Sequence, residues 1–236
     1  MINYAHRGAS EYAPENTLSS FYLGLLQGAN GIETDVQRTK DGVIVLFHDY
    51  TLDRVSDGTG KISDYTLAEL KEFKIYGNTT TGFYDRIVTY REFLEHFSKY
   101  DIHFAIELKC AGLEADVLKM SEEFQIMHKT TFTSCKFDFL KKVKAINQEA
   151  RIGWLTVAPS DEDIEKLINI GGEEIAPMAM EFTAEHIQKW RGAGLGVRAW
   201  GVTDLAKMKN MCRLGVDGMT VNFPDRLFQY IDAQAK

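Results

Sequence analysis

Eight short apolar runs, each followed by a segment with helical periodicity, constrain this chain more than any other feature of its sequence. The runs lie near residues 2–6, 31–37, 103–108, 130–134, 151–157, 174–178, 195–200 and 217–221. Repeated strand–helix units build a parallel sheet covered by helices. The helical pattern is clearest where Phe137, Leu140, Val143 and Ile146 recur about every three residues, as one buried stripe requires. Ser160-Asp161-Glu162-Asp163 reads as a capping box at a helix start. Further helices are predicted over 183–191, 204–213 and 224–233, and Gly28, Gly171, Gly192 and Gly215 stand where a helix end favours a left-handed residue. Eight units predict an α/β fold, a (β/α)8 TIM barrel, for which about 250 residues is typical and 236 are present. A doubly wound open sheet is the alternative, and the lack of a GxGxxG turn after the first strand counts against it.

The rhythm breaks once. Roughly 65 residues separate the second run from the third, far more than one crossover needs. Asp41-Gly42 marks a turn and 43–47 an extra strand, so the second strand is expected to continue as a hairpin. Asp57-Gly58-Thr59-Gly60 marks another turn. Thr66 with Glu69, and Thr89 with Glu92, each open a helix, the second being the barrel helix proper. The expectation is one barrel domain over residues 1–236 with a small, lid-like insertion after the second strand at about 51–87, too short to form a domain of its own.

A net charge of −7 argues against a nucleic-acid partner, for which a basic stripe would be needed. Cys110, Cys135 and Cys212 are odd in number and widely spaced, with no CxxC pair, which fits a reducing compartment. A strand is predicted directly after Met1, leaving no room for a signal peptide, and no apolar run approaches the ~18 residues of a membrane span. A cytoplasmic protein with no membrane span is expected, its oligomeric state left open.

Chemistry-bearing residues cluster in the first half of the chain. Side chains alternate along a strand, so Glu33 and Asp35 share one face. Two like charges on a buried face repel unless positive charge sits between them. His6 and Arg7 end the first strand, Glu107 and Lys109 the third, and His48-Asp49 follows the extra strand. Barrel sites form at the C-terminal ends of strands, which places these residues on one rim. Glu33, Asp35 and Glu107 are hard oxygen donors suited to a divalent cation, Mg²⁺ or Ca²⁺, rather than zinc. Any one of these acids reads equally well as an ion-pair partner of Arg7, Arg38 or Lys109; three beside two histidines read as a site. His6 and His48 are the candidate acid and base, and Arg7 and Lys109 the candidate phosphoryl-binding cations. Glu15 can reach the same rim, with Asn16 or Thr17 capping the next helix. Trp200 ends the seventh strand, as a pocket wall or a core residue. His103 is expected in the core, and His96, His128 and His186 as structural or solvated residues.

The set His6-Arg7-Gly8, Pro14-Glu15-Asn16-Thr17, Glu33-x-Asp35, His48-Asp49 and Glu107-x-Lys109 closely resembles the glycerophosphodiester phosphodiesterase family. The likeness extends through Leu52-Asp53-Arg54, Asp57-Gly58-Thr59-Gly60 and Val216-Asp217-Gly218, nearly the whole chain. It implies a barrel with an insertion after the second strand and metal-dependent cleavage of small-molecule glycerophosphodiesters to glycerol 3-phosphate and an alcohol. By that likeness Glu33, Asp35 and Glu107 hold the metal, His6 and His48 act as acid and base, Arg7 and Lys109 bind phosphate, and Glu15 and Trp200 line the pocket. The chain departs from the family pattern at Ser134-Cys135, Trp200-Gly201-Val202 and Thr220-Val221-Asn222, departures expected to bear on the alcohol end of the substrate. A lysophospholipase D-like enzyme is the alternative; it would show an apolar apron near the insertion, for which Tyr76, Phe83 and Tyr84 are the candidates.

Overall fold

The computed structural model describes residues 1–77 and 82–234, so residues 78–81 of the insertion lie outside the described residues. The first unit is β1 (Ile2–His6) and α1 (Leu18–Leu26). β2 (Gly31–Arg38) folds back on β3 (Ile44–Leu46), and α2 (Leu67–Glu72) and β4 (Val88–Thr89) precede α3 (Tyr90–Phe97). The alternation then runs unbroken through β5 (His103–Leu108), α4 (Glu114–Glu123), β6 (Thr130–Ser134), α5 (Phe137–Ile146), β7 (Arg151–Thr156), α6 (Asp161–Asn169), β8 (Glu174–Pro177), α7 (Ala184–Gly192), β9 (Gly196–Val202), α8 (Leu205–Leu214), β10 (Gly218–Val221) and α9 (Pro224–Gln234). β1 pairs in parallel with β2 (Tyr4 opposite Gly31) and with β10 (Ile2 opposite Gly218), which closes the ring. β1, β2 and β5 to β10 form an eight-stranded parallel barrel surrounded by helices, the fold expected from the sequence.

The capping boxes at Thr66, Thr89 and Ser160 form as expected. Gly28, Gly171 and Gly215 have positive φ, but Gly192 does not: α7 runs through it, and Gly194 at φ 85° makes the left-handed turn. The expected strand at 43–47 is shorter, and its antiparallel pairing with the two-residue β4 was not foreseen. His103 is exposed rather than buried, because it opens β5 at the N-terminal mouth of the barrel.

The main apolar core lies between sheet and helices. Outward residues such as Ile32, Phe104, Phe132, Ile152, Ile175, Val197 and Met219 pack there with Phe21, Phe93, Leu140 and Trp190. The interior of the barrel is polar. Arg198, 1% exposed, donates from Nε to Glu174 Oε1 at 2.8 Å and from Nη1 to Thr220 Oγ1 at 3.0 Å, and its guanidinium lies over the Tyr4 ring. Glycines make room for these side chains: a Cβ on Gly31 would stand 2.6 Å from the Tyr4 ring, and one on Gly153 2.7 Å from Glu174 Oε1. The insertion has its own small core of Val45, Phe47, Leu52, Val55, Ile62, Leu70, Ile75 and Ile87. No helix among the described residues is long and apolar enough to cross a membrane.

Gly31→Ala should therefore destabilise the barrel by about 1–3 kcal/mol, the usual cost of overpacking a close-packed interior. Urea unfolding checks this; an unchanged midpoint would show that Tyr4 moves aside freely.

Candidate active site

Two residues of β2 and one of β5 create the centre of the site. Asp35 stands opposite Glu107 in the parallel ladder, and Glu33 lies one inward position below Asp35. All three carboxylates are buried, and one oxygen from each lies within 4.8 Å of the others. Such a group is stable only if positive charge compensates it. Arg7 Nε is 3.2 Å from Asp35 Oδ2, and Lys109 Nζ is 3.0 Å from Glu107 Oε1 and 3.7 Å from Asp35 Oδ1. Asn16 Nδ2 donates to Asp35 Oδ2 at 2.9 Å, while its Oδ1 accepts from Thr34. Thr17, not Asn16, caps α1.

The backbone at Arg7 is bent to make this possible. Arg7 and Asn16 both adopt left-handed φ, 56° and 57°, a conformation that costs energy for a residue with a Cβ. The bend aims the Arg7 N–H at Glu33 Oε2, 3.1 Å away, and the Arg7 carbonyl accepts from the Asn16 N–H and the Ser20 hydroxyl. Gly8, at φ 85°, completes the turn, where a Cβ would strike Ser20 at 2.4 Å.

Burial raises all three carboxylates, and their neighbours decide the outcome. Asp35 is nonetheless held well below the usual carboxylate range by Arg7, with His48, Lys109 and Asn16 adding to it. Burial and the charge of Asp35 push Glu33 well up, and bring Glu107 to about 7. Asp35 Oδ1 is buried without a hydrogen-bond partner. An all-oxygen donor set and one orphaned buried oxygen together fit a divalent cation, and these residues could hold one.

Two imidazoles flank the carboxylates. His6 ends β1, its Nδ1 2.6 Å from Asn222 Oδ1 and its Nε2 3.9 Å from Glu33 Oε2. An amide oxygen only accepts, so Nδ1 carries the proton and Nε2 is left bare. Burial and Arg7 push His6 down to about 3. His48 Nδ1 faces Asp49 Oδ1 at 2.6 Å, and burial lowers this group as well, with Asp35 and Asp49 opposing. The loop bearing His48 is held by Gln37, whose Nε2 lies 2.6–3.2 Å from the carbonyl oxygens of Phe47, His48 and Asp49. Asp49 is gripped by Arg54, which also binds both oxygens of Glu15 at 2.8 Å.

His6, Arg7, Glu33, His48, Glu107, Lys109 and Trp200 line one cleft of about 390 Å³. Asp35 is buried beneath it. Glu15 is placed behind Arg7, bonded to its guanidinium at 2.9 Å, rather than on the cleft wall. A larger hollow of about 550 Å³ bordered by α2, α3 and α4 contains no histidine, and its Arg91 and Glu123 pair with each other. Of the three candidates for an apolar apron, Tyr76 and Tyr84 meet edge to face, Lys74 and Arg86 lie over the Tyr84 ring, and Phe83 is 51% exposed. Among the departures from the family pattern, Asn222 faces His6 rather than the alcohol end.

The chain matches the glycerophosphoryl diester phosphodiesterase family over residues 6–226. It is 30% identical over 235 residues to the glycerophosphodiester phosphodiesterase of Caldanaerobacter subterraneus subsp. tengcongensis, covering 96% of each chain. The chain belongs to the glycerophosphoryl diester phosphodiesterase family. Among solved structures, an Oleispira antarctica phosphodiesterase in complex with the product sn-glycerol-3-phosphate superposes with a TM-score of 0.84 at 30% identity, over 97% of this chain and 96% of that one. A glycerophosphodiester phosphodiesterase from Agrobacterium tumefaciens gives 0.82 at 28% identity, over 96% and 98%.

Beneath this phosphodiesterase cleft the Arg198–Glu174 pair is a buried charge pair, and removing one partner leaves the other uncompensated. Arg198→Met should cost about 3–5 kcal/mol, and adding Glu174→Leu should restore most of it. Thermal unfolding of both variants checks this; equal losses in the two would mean that the pair is not the source.

Proposed function

We propose that this chain hydrolyses small-molecule glycerophosphodiesters to glycerol 3-phosphate and an alcohol, using a divalent cation and two histidines. One observation carries the reading: three buried carboxylates within 4.8 Å of one another, with Arg7, Lys109, His6 and His48 around them at the C-terminal rim of a family barrel. The product bound to the Oleispira relative supports the choice of substrate.

In this reading Glu33, Asp35 and Glu107 hold Mg²⁺ or Ca²⁺, hard ions that take oxygen donors and leave positions open. When bound, the cation neutralises charge on the phosphoryl oxygens. Arg7 and Lys109 bind the phosphate with the N–H groups their carboxylate partners leave over, Glu15 holds Arg7 in place, and Trp200 forms the opposite wall. His6 and His48 present Nε2 to the cleft. One takes the proton of the attacking hydroxyl and the other protonates the departing oxygen. The attacking hydroxyl is water, or the substrate's glycerol 2-hydroxyl giving a cyclic phosphate that water opens; oxygen-18 incorporation separates the two. The whole barrel acts as one catalytic unit, with the insertion at 51–87 as its lid, tied to the site through Arg54; just before it, the Tyr50 hydroxyl donates to the Lys109 carbonyl. The three cysteines are free, in keeping with a cytoplasmic setting.

His6→Ala and His48→Ala should each lower kcat by roughly 10²–10⁴ on glycerophosphoethanolamine, the usual worth of an acid–base group. Full activity in either variant would remove that residue from the mechanism. EDTA should abolish turnover, and Mg²⁺ or Ca²⁺ should restore it. The working ion at a hundredfold excess over its Kd should stabilise the fold by about 2.7 kcal/mol, seen as a rise in Tm that Asp35→Asn loses. A Tm indifferent to both ions would count against the metal site.

A further inference from the structure

The cleft has two chemically different halves. Its charged groups, His6, Arg7, Glu33, His48, Glu107 and Lys109, come from β1, β2, β5 and the loop after β3. The facing wall comes from the ends of β6, β7 and β9, with Cys135, Leu155, Thr156, Val157, Trp200 and Gly201. Trp200 spends its only polar group on that wall, since Nε1 donates to the Thr156 carbonyl at 2.8 Å. Its ring is what remains to meet a substrate.

Resting on the phosphodiesterase reading, the phosphate and the glycerol hydroxyls belong in the charged half, where each finds a partner. The other ester arm must then lie along Leu155, Val157 and Trp200. An ammonium-bearing alcohol would find no carboxylate on that wall, since Glu33 and Glu107, the acids among the lining residues, lie in the charged half beside Arg7 and Lys109. A carboxylate-bearing alcohol on that side would meet Arg198 alone, its charge already offset by Glu174, with Nε and Nη1 held by Glu174 and Thr220 and Nη2 buried without a hydrogen-bond partner. Apolar surface continues outward. Val157 is 51% exposed, and Met180, two residues beyond the Met178 that bridges to Trp200, is 67% exposed. A cleft of about 390 Å³ is of a size that takes ligands well beyond glycerol phosphate, within the roughly 300–1,000 Å³ of drug-sized sites.

We propose that the preferred substrates are glycerophosphodiesters whose departing alcohol is uncharged and apolar, seated against Leu155, Val157 and Trp200. The test uses the metal-loaded enzyme and esters that share one glycerophosphate and differ in the alcohol: hexanol, glycerol, ethanolamine and choline. Each buried methylene is worth up to about fourfold, so kcat/KM for the hexyl ester should exceed that for the ethanolamine ester at least tenfold. Val157→Asp, at a half-exposed position, should bring that ratio toward one, chiefly through KM of the hexyl ester; Leu155→Asn should do the same. Equal or poorer turnover of the hexyl ester, with the ethanolamine or glycerol ester cleaved well, overturns the proposal and leaves the phosphodiesterase reading standing. A preference for the choline ester that Trp200→Leu abolishes overturns it in favour of a cation–π contact. Turnover of none of the four overturns the phosphodiesterase reading itself.

Discussion

Mutual repulsion among Glu33, Asp35 and Glu107 is the constraint around which the rest of the catalytic rim is arranged. Three carboxylates confined within 4.8 Å and removed from water would shed protons only at great cost without compensation. The chain supplies that compensation unevenly. Asp35, at the centre, receives Arg7, Lys109 and Asn16, and stays charged. Glu33 and Glu107 are pushed upward partly because Asp35 is charged. A dication placed among them reverses this balance, since it favours the ionised form of every ligand.

That arrangement explains why the backbone accepts strain near the end of β1. Arg7, in a left-handed conformation, meets Asp35 with its guanidinium and Glu33 with its N–H, and Asn16 meets Asp35 from the same conformation. Hydrogen bonds from Asn16 and Ser20 to the Arg7 carbonyl hold both turns. Arg54 then links Glu15, behind Arg7, to Asp49, behind His48. The insertion thus touches the charge network at two points, and a shift of Arg54 would be felt at both Arg7 and His48.

Much of this was legible in sequence because it follows from short-range periodicity. A repeat of two put Glu33 and Asp35 on one face, the strand–helix rhythm put that face on a barrel rim, and capping boxes marked helix starts at Thr66, Thr89 and Ser160. What escaped depends on contacts between distant positions. Gln37 looks like any polar strand residue until the hairpin brings three carbonyls to its amide. Asn222 reaches His6 only because the last strand pairs with the first. Asn16 reads as a cap, its commonest role, and only the bend at Arg7 turns it toward Asp35. His103 misled for a related reason: its neighbours are apolar, but it opens its strand at the mouth, where solvent reaches it.

The polar interior of the barrel bears on how one fold supports this chemistry. Stability is assigned to the shell between sheet and helices, where large residues such as Phe104, Phe132 and Trp190 are fully or almost fully buried. The space inside the strands is then free to hold charge. Glycines at 31 and 153 give up side chains so that Tyr4 and Glu174 can occupy it, and Glu174 in turn neutralises Arg198. The Arg198 charge also favours the ionised form of Glu33 above it, whereas an aliphatic floor would leave Glu33 facing a medium of still lower polarity. Holding Arg198 Nε and Nη1 on Glu174 and Thr220 also leaves the upper wall to Leu155 and Trp200. The contrast between the two halves of the cleft thus begins one layer beneath it.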